Sequence, residues 1–156
     1  MNADHGGPDA LGVPRWDFST NANGCGPCPM ALTALGRADA SHYPDPAYAT
    51  LREQLAAFHR VASERIVLAA SASEFIGRVT AALQLKKKQR NRLPALAYGD
   101  YARAASAWGL APVSDPAQAD WLWLCEPSSP LGNAEPLALQ VTDQCGVVVL
   151  DRAYEP

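Results

Sequence analysis

Near the end of the chain, Val147 to Leu150 form a short apolar run, followed by Asp151 and, three residues on, by Tyr154. Such a run reads as a buried strand, and its carboxyl end is where open α/β sheets place ligand chemistry. An acid there can pair with a protonated ring nitrogen. A tyrosine one turn later can donate to a phenolate oxygen. The same spacing also suits an acid that caps a helix, followed by a packing tyrosine. Two further segments carry donor types. Ala69-Ala70-Ser71-Ala72-Ser73-Glu74 leads from an apolar stretch into a helix start. Small residues there bare first-turn N–H groups that can hold a phosphate, with Ser71 and Ser73 as hydroxyl donors, although plain N-capping explains the same residues. Glu126-Pro127-Ser128-Ser129-Pro130-Leu131-Gly132 follows the apolar Trp121–Cys125 and fixes a tight path at a strand end.

Other candidates are weaker. Cys25-Gly26-Pro27-Cys28 has dithiol spacing, yet it follows a turn-rich stretch and not a buried strand. A zinc site would require Cys125 and Cys145 to converge on that pair. His5, His42 and His59 show no metal-ligand spacing, so no metal is expected. Tyr101, after Gly99-Asp100, enters a helix where its ring can cover a flat ligand or simply pack.

These segments need a scaffold. Pro29–Gly36 reads as a short helix and Ala47 to His59 as a longer one, with Leu51, Leu55 and Phe58 on one face. Arg65 to Ala69 reads as a strand, followed by a helix from Ser71. Leu93 to Ala97 is the next strand, and Tyr101 to Trp108 a helix closed by Gly109. Val113 begins another strand, Trp121–Cys125 is a strand, Pro136 to Gln144 holds a helix, and Val147 to Leu150 completes the series. Alternating strands and helices predict an α/β sheet with helices on both faces.

At 156 residues, 48% apolar and with a net charge of about -3, the chain suits one soluble domain with a real core and argues against a broad nucleic-acid surface. The basic run 86–92 reads as a solvated loop. No segment reaches the roughly 20 apolar residues of a membrane span. With no signal pattern and four scattered cysteines, the cytoplasm is the expected location.

Taken in order, the motifs resemble the N-terminal half of pyridoxal-phosphate enzymes of the aspartate-aminotransferase fold. Within that fold the chain resembles histidinol-phosphate aminotransferases and the threonine-phosphate decarboxylases of cobalamin biosynthesis. Asp17-Phe18-Ser19-Thr20-Asn21-Ala22-Asn23 is similar to the family's opening arm, Gly26-Pro27 to its Gly-Pro pair, and Tyr43-Pro44-Asp45-Pro46 to its Tyr-Pro-Asp-Pro loop. The resemblance implies a three-layer α/β/α large-domain fold, incomplete at its C-terminal side, with an arm and small-domain segment over 1–46 and the large domain from 47 to 156. It implies that Ala72 and Ser73 give N–H groups to the cofactor phosphate, Tyr101 stacks on the pyridine ring, Asp151 keeps the ring nitrogen protonated, and Tyr154 bonds the ring hydroxyl. Asn23 would lie in the arm that approaches the substrate carboxylate and phosphate, and Tyr43, counted with the substrate-binding residues, would reach the cofactor phosphate of a partner subunit in a homodimer. Ser129 stands where the family has an asparagine that reaches the ring hydroxyl, and Arg152 interrupts its Asp-Glu-Ala-Tyr run. The family's Schiff-base lysine and substrate-gripping arginine come later than Pro156. The implied chain is therefore inert alone, with sheet edge and apolar surface left open.

Overall fold

The computed structural model describes residues 6–21, 23–129, 131–134 and 146–155. It divides into two compact units, 1–67 and 68–156, a division distinct from the arm and large-domain division at residue 46.

The first unit holds helices α1, Pro29–Gly36, and α2, Ala49–His59. Pro29 begins α1, where its missing N–H costs nothing. Asp45 of the Tyr-Pro-Asp-Pro loop sets up the start of α2, accepting from the amides of Ala47 (2.9 Å) and Ala49 (2.8 Å). On α2 the buried residue is Ala56. Phe58, expected on an apolar face with Leu51 and Leu55, is 81% exposed, its ring perpendicular to that of His59. The strand expected over 65–69 does not form. Ser63–Arg65 is a turn of 3-10 helix, and residues 66–69 join no ladder. Ile66 is extended, but an extended stretch becomes a strand only with a neighbour to bond.

The second unit is a four-stranded parallel sheet in the order β2-β1-β3-β4, with β1 Arg90–Arg92, β2 Ala111–Pro112, β3 Trp121–Cys125 and β4 Val147–Asp151. Helix α3, Ala72–Leu85, precedes β1, and α4, Gly99–Ala107, connects β1 to β2. Ser71 caps α3 by accepting from the Glu74 amide at 3.1 Å. Gly109, at φ +61, turns the chain out of α4, as the sequence predicts.

Two strands lie earlier than expected. β1 is the basic Arg90-Asn91-Arg92, not the apolar 93–97, so the run 86–92 is a solvated loop only in its first part. The carboxylate of Asp120 holds that strand in place, accepting from the amides of Gln89 (3.1 Å) and Arg90 (2.9 Å) and from Arg90 Nη2 (3.0 Å). β2 likewise precedes Val113, whose amide extends the ladder to Asn91 O at 2.8 Å. The helix expected over 136–144 lies outside the described residues.

All five residues of β3 are buried. Trp121 and Trp123 share one cluster with Ile76 and Leu83 of α3 and Tyr101 and Ala105 of α4. β4 alternates, with Val147 and Val149 packed against that cluster and Val148 and Leu150 exposed. From β1 the chain moves to β2 on one side, then returns to the other side for β3 and β4. A reversal of this kind opens a crevice at the carboxyl ends of the strands.

Candidate functional site

The carboxyl ends of β3 and β4 are joined by the Glu126 amide, which donates to Asp151 O at 2.9 Å. Beside them, facing the start of α3, lies a cavity of about 210 Å³. Ala72, Phe75 and Ile76 line it from α3, Trp123 from β3, and Val149 to Ala153 from β4 and the turn beyond. Its walls are apolar, and its two ends carry opposite chemistry.

One end is the first turn of α3. The Glu74 amide is capped by Ser71 Oγ and the Phe75 amide reaches Ser71 O. The amides of Ala72 and Ser73 precede these, in the stretch where a helix has no carbonyl of its own to offer. Together with the helix dipole they favour an anion. Glu74 would oppose one, but its carboxylate is paired with Arg78 at 2.6 Å. Ser73 Oγ lies 3.2 Å from the hydroxyl of Tyr98.

The other end is Asp151. Its Oδ1 accepts from the Ala153 amide at 2.9 Å, and its Oδ2 accepts from the Tyr101 hydroxyl at 2.5 Å. Tyr101 is 1% exposed and lies flat on Trp123, with ring centroids 4.5 Å apart and planes 13° off parallel. Burial first, then the bond to Asp151, that residue's charge and neighbouring Cys125, hold the phenol far above its ordinary pKa. Tyr101 is the donor in this bond.

Of the candidates, Ala72 and Asp151 line the cavity, Ser73 follows Ala72 in the first turn of α3, and Tyr101 bonds Asp151. Tyr101 reaches it by its hydroxyl, with one ring face already taken by Trp123. Tyr154 is 48% exposed and does not line the cavity; the turn carrying it is held by the Glu155 amide on Arg152 O and by an Arg152–Glu155 ion pair. Ser129 does not line it either. The turn after β3 is organised by Ser128, whose amide donates to Asn133 O and whose hydroxyl accepts from the Asn133 amide. Asn23 and Tyr43 belong to the first unit. Asn23 Oδ1 accepts from the Cys25 amide in a local turn, and Tyr43 is fully exposed. Cys25 and Cys28 are exposed free thiols, Cys125 is buried in β3, and Cys145 lies outside the described residues. Among the described residues no three metal-ligating side chains gather, and no helix is long and apolar enough to cross a membrane.

Trp123, Phe75, Ile76 and Tyr98 were not singled out for the site by sequence. Trp123 carries the one available signal, a large aromatic on the strand that precedes the 126–132 turn.

Donors for an anion at one end, a carboxylate at the other and apolar walls between them fit a flat heteroaromatic phosphate with a basic ring nitrogen. The chain is similar to several known proteins. A histidinol-phosphate aminotransferase of Burkholderia mallei is 30% identical over 160 residues, covering 88% of this chain and 45% of that protein. A histidinol-phosphate aminotransferase of Sinorhizobium meliloti, solved with pyridoxal-5'-phosphate, superimposes with a TM-score of 0.67 at 20% identity, over 86% of this chain and 43% of that one. The L-threonine-O-3-phosphate decarboxylase of Porphyromonas gingivalis does so with a TM-score of 0.61 at 22% identity, over 73% and 38%.

The chain has the fold of the pyridoxal-phosphate aminotransferases, in part. It spans about half the length of the curated relatives it matches, and corresponds to their N-terminal portion. No family model matches the sequence. The expected α/β class with a parallel sheet is what the structure has.

Proposed function

We propose that this chain binds pyridoxal 5'-phosphate in the crevice between the first turn of α3 and Asp151, as the cofactor-holding part of an enzyme acting on an amino acid. The observation that carries the reading is the cavity itself, whose lining includes both Ala72 of the first turn of α3 and Asp151 at the end of β4. When bound, the cofactor supplies an electron sink for bonds at the amino acid's α-carbon. The chain's residues bind and tune it. The amides of Ala72 and Ser73, with the Ser73 hydroxyl, hold the phosphate. The Asp151 carboxylate keeps the ring nitrogen protonated. Trp123, Phe75 and Ile76 exclude water from the ring. Tyr154, three residues beyond Asp151, donates to the ring hydroxyl once the 152–155 turn swings inward, and Ser129 reaches the same oxygen through a shorter arm than an asparagine has. Asn23 and Tyr43 serve the substrate side, Tyr43 across a homodimer.

The leading reaction is transamination of a phosphate-bearing amino compound such as histidinol phosphate. The higher TM-score and coverage of the Sinorhizobium structure favour it. Decarboxylation of a phosphorylated amino acid is the second reading, supported by the Porphyromonas neighbour.

The test is a binding titration with pyridoxine 5'-phosphate, which has no aldehyde and so cannot react with Lys86, Lys87 or Lys88. Asp151→Asn should weaken binding about tenfold or more, the worth of a hydrogen bond to a charged group. Equal affinity in both proteins would refute the assignment of Asp151 to the ring nitrogen.

A further inference from the structure

The start of α4 bonds both to the first turn of α3 and to Asp151. Tyr98, just before the helix, sets its hydroxyl 3.2 Å from Ser73 Oγ. Tyr101, three residues later, sets its own 2.5 Å from Asp151 Oδ2, across 50 residues of sequence. The two rings meet edge to face at 6.1 Å. Tyr101 satisfies Asp151 much as a protonated heteroaromatic would: a flat ring on an indole face, with one donor at its rim aimed at the carboxylate. Asp151 Oδ1 is already taken by the Ala153 amide, so Oδ2 is the oxygen a ring nitrogen would need.

We propose that Tyr101 is an internal plug that competes with the cofactor's ring nitrogen for Asp151 Oδ2, so that the cofactor-free chain keeps that oxygen occupied. This inference rests on the cofactor reading above. A phenol at 2.5 Å from the carboxylate draws on its charge and weakens any second partner on that oxygen. Binding therefore requires the Tyr101–Asp151 bond to open. The cost is recovered when the cationic ring takes the donor's place. Tyr98 acts at the other end, holding Ser73 until a phosphate arrives.

Tyr101→Phe isolates the hydroxyl. Phenylalanine keeps the stack on Trp123 but leaves Asp151 Oδ2 without its donor in the closed state. Affinities for pyridoxine 5'-phosphate and for inorganic phosphate are compared in the wild-type chain and the variant. The plug predicts that Tyr101→Phe binds pyridoxine 5'-phosphate about ten- to a hundredfold more tightly, the range expected for a hydrogen bond to a charged group. Inorganic phosphate, which needs no opening at Asp151, should bind both proteins alike. Equal or weaker binding of pyridoxine 5'-phosphate by the variant would overturn the plug while leaving the cofactor reading intact. Absence of binding by both proteins would overturn the cofactor reading and the plug with it.

Discussion

The two units of this chain are held together by different kinds of contact. In the first, carboxylates and amides bond to near neighbours. Asp17 accepts from the amide and hydroxyl of Ser19 and from the Thr20 hydroxyl, Asn23 from the Cys25 amide, and Asp45 from Ala47 and Ala49. These bonds shape turns, but they bury little: Trp16, Phe18, Met30, Tyr43 and Phe58 are all largely exposed. In the second unit, Asp120 reaches residues about 30 positions away and Tyr101 reaches Asp151 across 50. A buried strand and two tryptophans lie behind those bonds. Local bonds fix the path of a chain, whereas long-range bonds over a core fix a site. The cavity lies in the second unit for that reason.

The contrast is sharpest in large-to-small substitutions. Trp123→Ala should cost about 3–5 kcal/mol of stability, typical of an aromatic removed from a core, whereas Trp16→Ala should stay within about 0.5 kcal/mol. Denaturant unfolding of both proteins checks this, and similar losses would erase the distinction between the units. Asp120→Ala should come next, at about 1–3 kcal/mol, because it leaves the edge of β1 unanchored. The Asp120 carboxyl is held below its ordinary pKa, chiefly by its bond to Arg90. A lowered folded-state pKa contributes stability that is present above the unfolded value of about 3.9 and is lost as pH falls through the folded value. The loss caused by Asp120→Ala should therefore shrink below about pH 4, which acid-range unfolding curves would show. A loss that grows in acid would contradict the anchoring role. Ser71→Ala should cost about 0.5–2 kcal/mol by uncapping α3. Thermal melting measures this, and an unshifted midpoint would mean the cap contributes nothing. The smallest effect lies in the first unit. Asn23→Ala should alter exchange of the Cys25 amide and leave the amides of β3 protected, as hydrogen exchange would report.

Legibility in the sequence followed the same division. Trp121–Cys125 and Val147–Asp151 are apolar runs bounded by turns, and their strands were predicted to within a residue. α1 and α4 were legible from Pro29 and Gly109. β1 was not, because Arg90-Asn91-Arg92 has the composition of a loop. Pairing with β2 and β3, together with the bonds to Asp120, makes it a strand, and Asn91 is buried there despite its polarity. The expected strand at 65–69 failed for the converse reason, having strand composition and no neighbour. The placing of Ala72 and Ser73 at a helix start and of Asp151 at a strand end was readable in the sequence. The contact of Tyr101 with Asp151 was not, since no local pattern links residues 50 apart.

The central claim is that one crevice binds a phosphate at α3 and a ring cation at Asp151. Amide chemical-shift mapping of the uniformly labelled chain with pyridoxine 5'-phosphate tests it most directly. The account predicts the largest shifts at Ala72, Ser73 and Asp151, with a smaller set along the first turn of α4. Shifts confined to the basic segment 86–90, or scattered over the first unit with Asp151 unmoved, would contradict it.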